Sequence, residues 1–193
     1  MKQHEHSGCT KKTFENPKEI LLKAGLKKGD TLLDIGTGTG YLAISALEIT
    51  GAVAYALDSH KASVDSLNNE IAVKGIKNLK PVHADAVKSI PLPADEIDVC
   101  LMSNVVHGFV ANAEIDKVLR NINSVLKENG RIIILDFKKI DTSFGPPLSI
   151  RLSADEVENI LSPYGYVLKN TFDIGTAHYG LVLNRICLQD KHC

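Results

Sequence analysis

A chain of 193 residues can bury one substantial core. Its 44% hydrophobic and 23% charged residues, with a net charge of −1, match a soluble globular protein and argue against a broad cationic surface that tracks phosphates, leaving room for a local basic patch. The sequence has no apolar run of about 18 residues, which excludes a membrane-spanning helix.

Residues 1–13 are polar, rich in lysine and without periodicity, and they read as a mobile leader ahead of one domain over 14–193. Asn16-Pro17 with Glu19 marks a helix start, and that helix stops near Gly25. Thr31–Ile35 is a short apolar strand, followed by a glycine loop and a helix from Tyr41 to Ile49 that Gly51 ends. Ala52–Leu57 is a second strand closed by Asp58, Lys61–Lys74 a helix stopped by Gly75, and Leu79–Ala84 and Ile97–Met102 two more strands. Ala113–Lys127 carries Ile115, Val118, Leu119, Ile122 and Leu126 on one helical face, with Gly130 as its stop and Arg131–Phe137 as the fifth strand. After a loop at Ser143–Pro147, Ser153 and Glu156 cap another helix. Two strands near Tyr166–Phe172 and His178–Cys187 end the pattern, and the short link between them makes that pair antiparallel. The rhythm predicts an α/β fold: a Rossmann-like, doubly wound sheet of seven strands, mostly parallel with an antiparallel C-terminal hairpin strand.

The loop Asp34-Ile35-Gly36-Thr37-Gly38-Thr39-Gly40 lies between a strand and a helix. Its glycines let the backbone approach a ligand, and the helix start offers free N–H groups. Asp58, with Ser59 beside it, ends the next strand, where a carboxylate can accept two ribose hydroxyls. The dinucleotide fingerprint G-x-G-x-x-G is not met, because Tyr41 takes its third glycine position and Gly40 comes one residue early. A carboxylate at Asp34 disfavours a pyrophosphate but suits the amino group and sulfonium of S-adenosylmethionine.

On these residues the chain resembles the class I S-adenosylmethionine-dependent methyltransferases, in the small-molecule branch of the ubiquinone/menaquinone and arsenite types. The likeness rests on Leu33–Gly40, Asp58, Ala84-Asp85-Ala86 and Leu126–Arg131. The tail segments Gly145-Pro146-Pro147, Arg151-Leu152-Ser153 and His178-Tyr179-Gly180 are similar to a subgroup of short microbial proteins. The resemblance implies an enzyme with S-adenosylmethionine as cofactor. Gly36, Thr37 and Gly38 would line its methionine moiety, Asp58 the ribose, Asp85 and the Ala86 backbone the adenine, and Asn104 the methyl. An aspartate at position 85 can equally cap a turn.

Methyl transfer from a sulfonium requires mainly in-line positioning, with a base only where the acceptor must lose a proton. His107 follows the fourth strand and could be that base, or simply a hydrogen-bonding loop histidine. Arg151 could fix an acidic acceptor or form a surface salt bridge. His178 and Tyr179 could face the acceptor or pack at a strand start. His4, His6 and Cys9 lie on the leader and are not read as a metal site. The scattered Cys9, Cys100, Cys187 and Cys193 fit a reducing cytoplasm, and they lack the pattern that holds arsenic. Ser103-Asn104-Val105-Val106 replaces the Asp/Asn-Pro-Pro-aromatic run of base methylases, so no nucleic-acid partner is expected. A small-molecule acceptor leads. An NAD-dependent oxidoreductase and a non-catalytic S-adenosylmethionine-binding regulator are the alternatives, and a pocket completed by a homodimer partner stays open.

Overall fold

The computed structural model describes residues 14–186; the leader and Cys9, Cys187 and Cys193 lie outside them. Pro17–Lys23 forms α1, with Asn16 Oδ1 accepting the Glu19 N–H and Pro17 in the first turn. β1 (Leu32–Ile35) leads to α2 (Tyr41–Thr50), and β2 (Ala54–Asp58) leads to α3 (Lys61–Lys74). β3 (Leu79–His83), β4 (Ile97–Ser103), α4 (Val106–Ala111), α5 (Ile115–Val125) and β5 (Leu126–Phe137) follow. A 3-10 turn at Leu148–Ile150 precedes α6 (Ala154–Leu161), whose capping box joins Ser153 and Glu156 in both directions. A second 3-10 turn (Ser162–Tyr164) leads to β6 (Tyr166–Ile174) and β7 (His178–Arg185).

The seven strands lie in the order β3-β2-β1-β4-β5-β7-β6. Pairing is parallel from β3 to β5, and β7 is antiparallel to both β5 and β6, so β7 alone runs against the rest. This is the doubly wound, mostly parallel arrangement expected from the strand–helix rhythm. β1 and β2 are buried at every position, as strands covered on both faces must be. One face carries Leu33, Leu57, Met102, Ile132 and Ile134 beneath α4, α5 and α6. The other carries Leu32, Ala56, Leu101, Ile133 and Leu135 beneath α1, α2 and α3. Each fully buried Leu or Ile contributes roughly 1.5–3 kcal/mol, so the run Ile132–Leu135 at the centre of the sheet anchors both layers.

Two local readings need correction. The helix read as Ala113–Lys127 ends at Val125, and Leu126 turns directly into an extended conformation that pairs with Ile97. Gly130 therefore stops no helix; it belongs to the irregular start of β5, where the register shifts before Arg131 pairs with Val99. The short helix α4 was not anticipated. Its six residues, with a glycine among them, carry too little periodicity to register.

Candidate active site

The carboxyl ends of β1, β2 and β3 meet around the glycine loop. Gly36 and Thr37 both donate to the Leu57 carbonyl, which folds the loop over the end of β2. Gly36 and Gly40 have φ of 71° and 74°, a region that favours glycine. A Cβ at Gly36 would stand 2.7 Å from Val105 Cγ1, and one at Gly40 2.7 Å from Leu67 Cδ1. The first of these approaches ties the loop to the segment after β4. Gly40 also precedes α2 without a side-chain cap, so the first N–H groups of that helix are not claimed by a cap.

Asp58 holds the loop in place. Its Oδ2 accepts the Gly38 N–H at 2.8 Å and its Oδ1 the His60 N–H at 2.8 Å. A carboxylate oxygen has two lone pairs, so each can still accept from a ligand. Asp34 lies deeper, 1% exposed, and its Oδ2 accepts the Thr37 hydroxyl at 2.6 Å. Burial pushes its carboxyl up to about 7, with the charge of Asp58 adding to the rise and the Thr37 hydrogen bond opposing it. Asp34 is thus a buried group that braces the loop from beneath.

Asp85 forms a turn: its Oδ1 accepts the Val87 N–H at 2.9 Å, and its backbone carbonyl accepts from Lys88 and Ser89. It also lines a cavity of about 440 Å3 with Ser59, His83, Ala84, Lys88, Ser89 and Pro91. Ala86 is buried beside it. The two readings of Asp85 are therefore compatible in one residue, since Oδ1 makes the turn beside an open cavity.

A second group of residues gathers at the ends of β4, β5 and β7. Asn104 follows β4 with φ 56°, and its buried Oδ1 has no hydrogen-bond partner among the described residues. His107 is the second residue of α4, and its Nδ1 donates to Asp136 Oδ1 at 2.8 Å. Asp136 is 2% exposed and also accepts the backbone N–H groups of His107, at 3.3 Å, and Phe137, at 2.8 Å. Reading the sequence missed Asp136 because it sits within the apolar run of β5. The available signal was an acid near the end of an apolar strand, as at Asp34 and Asp58.

His178 opens β7 opposite Phe137. Its ring contacts Phe14, with centroids 5.1 Å apart, and Phe137, at 4.1 Å; its buried Nε2 has no partner among the described residues. Burial lowers its pKa; Asp136 opposes this shift and Arg151 adds to it. Tyr179 points to the other face of the sheet and donates its hydroxyl to the Leu152 carbonyl at 3.1 Å, and burial pushes that hydroxyl's pKa up. It lies opposite Asp136 in the β5–β7 pair, and its burial fits packing at the strand start.

Arg151 requires the largest revision. It is 3% exposed and donates to the carbonyls of Pro146, Ile140 and Phe144 at 2.8, 2.7 and 2.7 Å, while its guanidinium lies over the Phe137 ring. Three of its five N–H groups are committed to backbone carbonyls and the residue is buried, so it is no surface salt bridge among the described residues; it organises the loop after β5. Among the described residues no cluster could hold a metal ion, and Cys100 is a buried thiol whose pKa burial raises.

The sequence profile of a family described as "Methyltransferase domain" matches residues 26–174. The ubiquinone/menaquinone biosynthesis C-methyltransferase UbiE of Francisella tularensis subsp. holarctica is 30% identical over 125 residues, covering 63% of this chain and 48% of that protein. UbiE of Vibrio campbellii is 30% identical over 119 residues, covering 60% and 44%. The chain spans about half the length of these curated relatives. A crystal structure of a SAM dependent methyltransferase from Aquifex aeolicus superimposes with a TM-score of 0.81 at 28% identity, covering 90% of each chain.

Proposed function

This chain belongs to the methyltransferase-domain family, and from that premise we propose that it transfers a methyl group from S-adenosylmethionine to a small-molecule acceptor. The observation that carries the reading is the glycine loop closed on Asp58 by the Gly38 N–H, at the carboxyl edge of a parallel sheet where ligands of such folds bind. In this reading Asp58 accepts the ribose hydroxyls through its remaining lone pairs, with Ser59 beside it. Gly36, Thr37, Gly38 and Gly40 form the loop that lines the methionine moiety, with Gly36 and Gly40 packed too closely on Val105 and Leu67 to admit a side chain. Asp85, which borders the cavity, and the backbone of the adjacent Ala86 take the adenine. Asp34 acts from beneath, its charge favoured by a cation above the loop. Asn104, with an unclaimed buried oxygen, faces the methyl side together with His178.

S-adenosylmethionine supplies a methyl group already activated by a sulfonium, so the protein's task is to orient the acceptor in line and exclude water. The acceptor is read as a small molecule, not a nucleic acid, because the sequence has no basic stretch interleaved with aromatics. No helix of the described residues is long and apolar enough to cross a membrane. The scattered cysteines fit a reducing cytoplasm, and the reading takes 14–193 as one domain whose open pocket a second subunit could complete.

Calorimetry tests the donor. S-adenosylmethionine and S-adenosylhomocysteine should bind, and NADH should not. Asp58→Ala should weaken binding at least tenfold, since it removes the acceptor for two hydroxyls and the tie to Gly38. Saturable NADH binding without a response to either adenosyl compound would refute the proposal.

A further inference from the structure

We propose that His107 and Asp136 form a proton-accepting pair, His107 as catalytic base and Asp136 as its positioning residue, and that the acceptor presents a hydroxyl of phenol-like or enol-like acidity. The inference rests on the methyltransferase reading above and names the substrate class of the same site.

Three N–H donors converge on Asp136: the His107 ring, the His107 backbone and the Phe137 backbone. The first two fix both the rotamer of His107 and the start of α4, which has no side-chain cap at Val105. A carboxylate oxygen can only accept, so the proton of the neutral imidazole sits on Nδ1 and Nε2 keeps its lone pair. Among the described residues no hydrogen bond to Nε2 is found, and the His107 side chain is 12% exposed. His107 stands two residues beyond Val105, the side chain that closes on Gly36 of the loop. The imidazole is thus oriented by a buried acid, with its basic nitrogen unclaimed among the described residues, at the carboxyl edge of the sheet.

This arrangement is redundant for some acceptors. A thiol (pKa about 8.5) and an α-amino group (pKa about 8) reach their nucleophilic forms in water near neutral pH far more readily than a hydroxyl does. A hydroxyl must lose its proton, and an imidazole is matched to one as acidic as a phenol (pKa about 10). In the step, the hydroxyl proton passes to His107 Nε2 and the oxygen pair forms the new bond to the methyl carbon. The carbon–sulfur pair leaves on sulfur as a neutral thioether, and the proton on Nε2 is released to water. The other charged or titratable groups around the pair are Tyr179 of β7, which pairs with Asp136 across the sheet and feels its charge, the adjacent His178, which pairs with Phe137, and Arg151 ahead of α6, which lies over Phe137.

The test offers the full chain catechol and acetylacetone as hydroxyl probes, with dithiothreitol and glycine as thiol and amine probes, and follows S-adenosylhomocysteine. At least one hydroxyl probe should be methylated, in preference to both others. His107→Gln and Asp136→Asn should each lower kcat about 100-fold or more, with S-adenosylmethionine affinity by calorimetry within about threefold of wild type. The fall of wild-type kcat toward acid pH should be absent in His107→Gln. If the wild type binds no S-adenosylmethionine, the methyltransferase reading fails; if it binds and methylates only the thiol or amine, or no probe, the pair's role fails alone. Should Asp136→Asn not fold, imidazole 15N shifts of the wild type decide: a proton on Nδ1 supports the pair, and one on Nε2 overturns it.

Discussion

Replacing Asp34 with asparagine should stabilise the protein above neutral pH and have progressively less effect as the pH falls. Asp34 is 1% exposed, and burial, reinforced by Asp58, raises its carboxyl from 3.8 to about 7. Between those values the folded state holds a proton that the unfolded chain has released. Stability therefore declines as pH rises through this window and levels off above about 7. The shift spans about three pH units, each worth about 1.4 kcal/mol, so ionised Asp34 costs on the order of 4 kcal/mol at pH 8. The substituted amide would be neutral at every pH, and its oxygen could still accept the Thr37 hydroxyl. All other titrating groups are common to both proteins, so the difference between the two urea-unfolding free energies isolates this site. That difference should grow by a few kcal/mol in favour of Asp34→Asn between pH 4.5 and pH 8. Parallel stability curves across that range would refute the argument that burial controls this carboxyl.

Three further outcomes follow from local geometry. Arg151→Met leaves the carbonyls of Ile140, Phe144 and Pro146 without their donor; it should lower stability by about 2–4 kcal/mol and open residues 140–150 to limited proteolysis. Ser153→Ala removes one half of the α6 capping box and should cost about 1 kcal/mol in urea unfolding. Gly180→Ala would set a Cβ 2.3 Å from the Phe172 ring across the β6–β7 pair. Overpacking there should cost about 1–3 kcal/mol, and an unchanged unfolding midpoint would show that the two strands are less tightly apposed.

The strands and the loop were legible because each is written locally. Short apolar runs define β1, β2, β4 and β5, with a glycine close by in β1, β2 and β5, and Ser153 with Glu156 three residues on marks the start of α6. The hairpin followed from arithmetic, since five residues cannot return a chain for a parallel crossover. What escaped depends on partners distant in sequence. Asp136 acquires its meaning only from His107, 29 residues earlier, in a helix too short to show a period. Arg151 reads as an exposed cation from its residue type, and only the folded loop shows it buried with three of its N–H groups on backbone carbonyls. The direct passage from α5 into β5 was hidden by Gly130, a plausible terminator whose actual neighbour is the Leu126 side chain.

The position of β7 has a kinetic consequence. β5 can be completed on one side by β4 early, but its other side waits for the last strand in sequence order, and β6 has no place in the sheet until β7 lies between them. During that interval Ile132-Ile133-Ile134-Leu135 is an apolar strand with an unpaired edge, the kind of surface on which partly folded chains associate. Yield on refolding should therefore depend on chain concentration, and the competition would be decided by how quickly β7 closes that edge.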